Sequence, residues 1–282
     1  MRVGFVFTNF NDAQITGEAV RSIVRDKSRH ELKIVIVDNG SNQENLALLE
    51  KIAEENSIVS LICNPTNIGY FRGLNLGISY LRRCDQPYEH MVIGNNDLVF
   101  PTDFIEMLNR NEDQLDRFAV IAPDIVTMDG EHQNPHVIKD VGKFRESIYD
   151  LYYSNYFVAS LIRRISDATR KITKRKDEEQ FRVAQTITQG YGACYIVGPL
   201  FFKYFETLWA PTFFYHEELF LSKQLESKGL KTLYEPSIAV SHHTKTTMSR
   251  FPSRKKWELG REAHKEYRKY RKSPFKIVRL FK

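Results

Sequence analysis

Asp97 closes the tripeptide Asn95-Asn96-Asp97, which follows the apolar run His90-Met91-Val92-Ile93-Gly94 and precedes Leu98-Val99-Phe100. A carboxylate with two amides at the carboxyl end of a buried strand sits where open α/β sheets hold their ligands. Its hard oxygens suit Mg²⁺ or Mn²⁺ shared with phosphate oxygens. Taken alone, the tripeptide is first of all an Asx turn. What changes its weight is company. Polar residues also follow three other apolar runs: Thr8-Asn9 after Val3–Phe7, Asp38-Asn39 after Leu32–Val37, and Asn64 to Asn67 after Ile58–Cys63. Further along, Glu217 and Glu218 open a helical stretch behind Phe213-Phe214-Tyr215, and His242-His243 follow the run Ile238–Ser241. Either glutamate could act as a general base, but successive helical residues point ~100° apart, so one pocket cannot use both equally.

The elements that must position these residues alternate. Ile15, Ala19, Val20, Ile23 and Val24 repeat with helical spacing after the first strand. The Ile- and Val-rich run Leu32–Val37 reads as a strand buried on both faces, as in parallel sheets. Ser41-Asn42-Gln43-Glu44 has a capping-box pattern, with Ser41 as the cap of a helix carrying Leu46, Leu49, Ile52 and Ala53. A third strand (Ile58–Cys63), a helix (Gly69–Leu81) and a fourth strand (His90–Gly94) follow. This order predicts an α/β fold with a parallel, doubly wound sheet. A fifth strand is expected at Phe118–Ala122, then an insertion over about 130–188 that is helical from about Tyr149 to Lys174. The pattern resumes with a helix from Glu217 to Lys228, stopped by Gly229, and short strands at Lys231–Tyr234 and Ile238–Ser241.

At 282 residues and 42% hydrophobic, the chain can bury a full core. Cys63, Cys84 and Cys194 are scattered without metal-ligand spacing, which fits a reducing compartment. No uncharged apolar run approaches the ~20 residues of a membrane span, and the early polar Thr8-Asn9 argues against a signal segment. A soluble, cytoplasmic protein is expected. The net charge of +6 is unevenly placed: Arg250 to Lys282 carries 13 Lys and Arg against 3 acids, leaving a mildly acidic remainder of 28 against 32. A second basic cluster spans Arg163-Arg164, Arg170-Lys171 and Lys174-Arg175-Lys176. Nucleic acid is an unsuitable partner, because the strand ends hold Asp and Asn instead of Lys and Arg.

Four segments resemble glycosyltransferase family 2, in particular its bacterial branch that builds rhamnose-containing and other surface polysaccharides. They are Val3-Gly4-Phe5-Val6-Phe7-Thr8-Asn9-Phe10-Asn11, Val35-Ile36-Val37-Asp38-Asn39-Gly40-Ser41, the ladder of Asn67, Gly69, Gly73, Asn75 and Gly77, and the pair Phe213 to Glu218 with Ser241-His242-His243. The resemblance implies a GT-A fold: a Rossmann-like, mostly parallel sheet flanked by helices, with a helical insertion and a basic C-terminal helical tail. It divides the chain into a GT-A domain over 1–250 and the tail 251–282. The nucleotide-sugar half would cover about 1–125, and the acceptor and catalytic half about 189–250.

The implied activity is inverting transfer of a sugar from a nucleoside diphosphate sugar to a saccharide acceptor. Asp97, with His242 or alternatively His243, would hold Mg²⁺ or Mn²⁺. The family commonly shows Asp-x-Asp where this chain has Asn95-Asn96-Asp97, one carboxylate fewer. Asp38 would read a uracil or thymine imide N–H, with Thr8 and Phe10 lining its pocket. Asn67, Gly69, Asn75, Asn95 and Asn96 fall on the donor side, and Arg72 either faces the diphosphate or is an exposed helix Arg. The glycines of the ladder would let backbone approach the ligand. The second acid of the family's Glu-Asp pair is the base, which maps to Glu218, with Glu217 the alternative. Phe157, Leu161, Ile165 and Ala168 fall near one helical face among arginines, so this segment and the tail are expected to meet an anionic membrane bearing a lipid-linked acceptor. The alternative is a solvated helix with a subunit contact in a homo-oligomer. Competing readings of the whole are an inactive scaffold and a sugar nucleotidyltransferase, although Thr8–Gly17 lacks the latter's Gly-rich, basic phosphate loop.

Overall fold

In a computed structural model, residues 1–25, 30–139, 142–173, 176–243, 253–271 and 281 are described; for residues 143 and 167–173 only the backbone is. Strands β1 (Arg2–Asn9), β2 (Glu31–Asp38), β3 (Val59–Cys63) and β4 (His90–Asn95) alternate with helices α1 (Ala13–Val24), α2 (Gln43–Glu55) and α3 (Tyr70–Arg82). All pair in parallel, β3 on β2, β2 on β1, and β1 on β4. Burial on both faces explains the composition of β1, β2 and β4, while β3 lies at the edge of the sheet. Val3, Phe5 and Phe7 pack with Val20, Ile23 and Leu49 on one side of the sheet. Val6, Val35 and Val37 pack with Leu74, Ile78 and Leu81 on the other. Full burial of each such side chain stabilises by about 1.5–3 kcal/mol.

After β5 (Leu98–Val99), α4 (Phe104–Arg110) and α5 (Glu112–Arg117) lead to β6 (Val120–Thr127). Two helices, α6 (Lys143–Tyr152) and α7 (Tyr156–Thr173), precede a short 3₁₀ turn, Asp177–Gln180. Strands β7 (Gln185–Ile187) and β8 (Cys194–Val197), helices α8 (Pro199–Phe202) and α9 (Glu217–Glu226), strand β9 (Thr232–His242) and helix α10 (Ser253–Arg271) complete the chain. The sheet order is β3-β2-β1-β4-β8-β6-β9-β5, with β7 also on β9.

Several expectations change. The sheet is mostly parallel but not uniformly so, because β8 inserts antiparallel between β4 and β6. The cap of α2 is Asn42, whose side chain accepts the Asn45 N–H; Ser41 is instead drawn to Asp38. The two short strands expected after Gly229 are one strand, β9. It runs beside β6 throughout and shifts register between Pro123 and Asp124, a bulge that accommodates Pro236 without costing a ladder bond. The single helix expected from Tyr149 is two, because the Asn155 side chain accepts the Phe157 N–H and starts α7 afresh. The basic tail is not loose where it is described. Trp257 Nε1 donates to Tyr152 O at 3.0 Å, and Arg271 pairs with Glu146 at 3.1 Å. Phe281 packs edge-on to Trp209 and Phe205.

Candidate functional site

The parallel register sets Asn9 beside Asp38 and Thr8 beside Asn95, so the ends of β1, β2 and β4 share one sheet edge. Asn9 organises that edge. Its Nδ2 donates to Asp38 Oδ1 at 2.9 Å and its Oδ1 accepts from Thr16 Oγ1 at 2.8 Å, while Asn96 Nδ2 donates to the same Thr16 hydroxyl at 2.8 Å. Asp38 is buried and also accepts from the Ser41 hydroxyl and backbone N–H. Its carboxylate therefore serves the β2–α2 turn in this structure. Asn67 Oδ1 accepts the Gly69 N–H at 2.9 Å, closing an Asx turn at the start of α3. Phe10 and Thr8 are half-buried at the mouth of the edge. The Thr8 methyl faces Gly73, where a Cβ would lie 2.7 Å from it. Gly73 and Gly77 thus serve helix-to-sheet contact with β1.

Asp97 and His242 meet. Pairing of Leu98 with His242 in β5 and β9 brings Asp97 Oδ1 to 3.0 Å from His242 Nε2, both residues buried. The other ring nitrogen, Nδ1, lies 2.7 Å from Gln133 Oε1, and Asn95 Nδ2 is 3.4 Å from Nε2. An Nδ1–H donated to Gln133 leaves Nε2 as the atom facing the carboxylate. This is the outer-partner arrangement by which histidine ligands are oriented. This donor set of one imidazole and one carboxylate fits a divalent cation that takes its other ligands from substrate oxygens. Among the described residues no three His, Cys, Asp or Glu side chains gather as a metal site. His243 points elsewhere, its Nδ1 3.7 Å from Glu18.

The glutamates divide. At the entrance of α9, Tyr215 and His216 are consecutive non-glycine residues in the left-handed region, with φ of 72° and 66°. Such a corner costs of order 1 kcal/mol or more per residue and has to be held by its surroundings. His216 is packed by the rings of Tyr153, His264 and Tyr267, with centroids 5.9, 6.0 and 6.3 Å away. Its Nε2 is buried without a hydrogen-bond partner among the described residues. Burial, and then the proximity of His264, lower its pKa to about 4. Glu217 is buried with Oε1 unpartnered among the described residues, and burial followed by repulsion from Glu218 raises its pKa to about 8. Glu218 is less buried and lies against Gly192, where a Cβ would come 2.6 Å from Oε1. Tyr191, the neighbour of that glycine, has a raised pKa, from burial first and then from the charges of Glu218 and Asp97. Its ring also meets that of His242 at 6.2 Å. Tyr191 thus feels the charges of Glu218 and Asp97 and meets the ring of His242.

Two residues expected on the donor side are engaged otherwise. Asn75 exchanges two hydrogen bonds with the Leu208 backbone, and Arg72 donates to the carbonyls of Ala210 at 3.2 Å and Pro211 at 3.4 Å. Both lie on the part of α3 that ties down the loop before Glu217. Gly69 belongs to the same junction: its φ is +96°, and the Phe213 carbonyl accepts the Tyr70 N–H. Thr16, Gln133 and Tyr191 escaped the sequence reading. Tyr191 lies in the recognisable Gly190-Tyr191-Gly192 run, but Gln133 sits in a loop with no readable signal.

Comparison with known proteins bears on the family and the fold. The model of the family described as "Glycosyl transferase family 2" matches residues 5–160. An uncharacterized glycosyltransferase of Haemophilus influenzae is 28% identical over 88 residues, 29% of this chain and 27% of that protein. The chain therefore spans about a quarter of the curated relative it matches. Among solved structures, S. aureus TarS 1–349 is similar with a TM-score of 0.51 at 11% identity, over 86% of this chain and 60% of that one. The mannosyltransferase PcManGT from Pyrobaculum calidifontis, in complex with GDP-Man and Mn²⁺, gives 0.57 at 14% identity, over 98% and 67%. At such identities the likeness is one of fold, the GT-A type.

Proposed function

Because the chain belongs to glycosyl transferase family 2, we propose that it moves a sugar, with inversion, from a UDP- or dTDP-linked donor to a saccharide acceptor carried on a lipid. The product would enter bacterial cell-surface polysaccharide. The observation that carries this reading is the contact of Asp97 with His242 across 145 residues of sequence, in a site shared with Glu218. The nucleotide would lie along the β1–β2–β4 edge, where Thr8, Phe10, Asp38, Asn67, Asn95 and Asn96 are gathered. Asp97 and His242 would hold Mg²⁺ or Mn²⁺, which would offset charge on the departing diphosphate.

In the proposed reaction the acceptor hydroxyl attacks the anomeric carbon from the side opposite the diphosphate. The new C–O bond forms as the bond to phosphate breaks, and the hydroxyl proton passes to a carboxylate. Glu218 suits that task better than Glu217. It is the more accessible of the two, and it shares Tyr191 with Asp97. Glu217, with its pKa near 8, carries its proton through much of the neutral range and is left to shape the corner. A positioned base contributes ~10²–10⁴ in rate. Glu218→Gln should therefore lose measurable transfer in a release assay for the nucleoside diphosphate while still binding nucleotide. Near-normal turnover would refute the assignment. No helix among the described residues is long and apolar enough to cross a membrane; the proposed lipid-linked acceptor would be met at the inner face of the cell membrane.

A further inference from the structure

Helix α6 is built inside out. Its charged face turns inward: Glu146 pairs with Arg271, and Asp150 takes His264 at 2.8 Å and Arg268 at 3.4 Å, all from α10. Its apolar residues face solvent, Phe144 at 81% exposure, Leu151 at 54%, with Ile148 also exposed. Helix α7 also leaves an apolar stripe outside. Ala159 is buried and Tyr156 meets Trp257, while Phe157, Leu161 and Ile165, spaced by four residues, are exposed. Globular helices bury such stripes, so a two-helix apolar surface left outside marks an interaction site.

Charge identifies the occupant. Over residues 143–176 there are nine Lys and Arg against three acids, and two of those acids, Glu146 and Asp150, are already paired with α10. Arg163 and Arg164 are exposed beside the α7 stripe. Apolar residues flanked by this cationic surplus of sequence match an anionic bilayer surface. The same face of a second copy would instead bring cations against cations.

We propose that the α6–α7 hairpin is a platform that lies in the headgroup region of an anionic membrane, its two apolar stripes buried among the lipids. This differs from docking through both the insertion and the tail, because Arg268 and Arg271 of α10 are turned onto α6. The platform adjoins the catalytic corner: Tyr153, one residue past α6, packs its ring against His216, the residue before Glu217. A lipid-borne saccharide reaching the bilayer surface would arrive beside the proposed base. The purpose of the platform rests on the proposed transferase function, but lipid binding is measured separately from it.

The test is flotation of the full-length protein with vesicles of phosphatidylcholine, alone or containing about one-third phosphatidylglycerol. We expect binding to the anionic vesicles only. The double substitutions Phe144→Glu with Leu151→Glu, and Phe157→Glu with Leu161→Glu, should each lower it at least about tenfold. Circular dichroism and the nucleotide-induced rise in thermal stability should be unchanged. Undiminished binding by both double variants would overturn the platform, as would no binding of a folded wild-type protein. So would a concentration-dependent dimer that the same substitutions dissolve, since a second copy would then cover the face. Flotation without any nucleotide response would leave the platform standing and remove the transferase reading.

Discussion

Asn75 and Leu208 exchange two hydrogen bonds across 133 residues of sequence: Asn75 Nδ2 donates to the Leu208 carbonyl and the Leu208 N–H donates to Asn75 Oδ1, each at 2.8 Å. This clamp joins α3 to the loop that delivers Glu217 and Glu218. Removing the amide would leave two backbone groups of a half-buried loop unmet, at a cost of about 1–3 kcal/mol. Asn75→Ala should therefore lower the urea midpoint and slow transfer, yet retain the stabilisation that nucleotide confers. Loss of the nucleotide response with unchanged stability would instead place Asn75 in the donor site.

Stability should depend on pH through the α9 corner. Glu217 ionises near 8 in the folded protein and near 4.5 when unfolded. The folded state therefore holds the extra proton, and this residue's contribution to stability falls as pH rises from 4.5 to 8. His216, at about 4 folded against 6.5 unfolded, acts in the opposite sense, its contribution rising from pH 4 to 6.5. The two oppose each other below pH 6.5, and only the glutamate acts above it. Between pH 6.5 and 8 stability should decline by about 2 kcal/mol. Glu217→Gln should abolish that decline in denaturant titrations at the two pH values. An unaltered slope would show that Glu217 ionises normally.

The sequence carried the first half of the fold in its apolar periodicity. The runs at Val3–Phe7, Leu32–Val37, Ile58–Cys63 and His90–Gly94 each became a parallel strand; burial on both faces accounts for the apolar runs of the three inner ones, while β3 lies at the sheet edge. It was less informative where partners rather than periodicity set the outcome. Nothing local shows that β8 lies between β4 and β6, or that β6 fuses two short runs into β9 across Pro236. Asp97 and His242 were linked in the sequence only through the family resemblance; that their side chains meet follows from the pairing of β5 with β9. The positions of Asn75 and Arg72 were not legible, because an amide and a guanidinium on a helix serve a loop carbonyl as readily as a phosphate. Nor could α6 be read as inverted, since its inward face is defined by acids whose partners lie more than a hundred residues away on α10.

The most direct test of the account is thermal stability against UDP, dTDP and GDP, each with and without Mn²⁺, in the wild type, Asp97→Ala and His242→Ala, every variant read against its own baseline. Ligand at ~100 times its Kd adds ~2.7 kcal/mol to a folded state that alone binds it. The account predicts a rise with one nucleotide that requires the metal and is lost in both variants. A rise that needs no metal and survives Asp97→Ala, or no rise with any nucleotide, would contradict the assignment of Asp97 and His242 as the centre of the donor site.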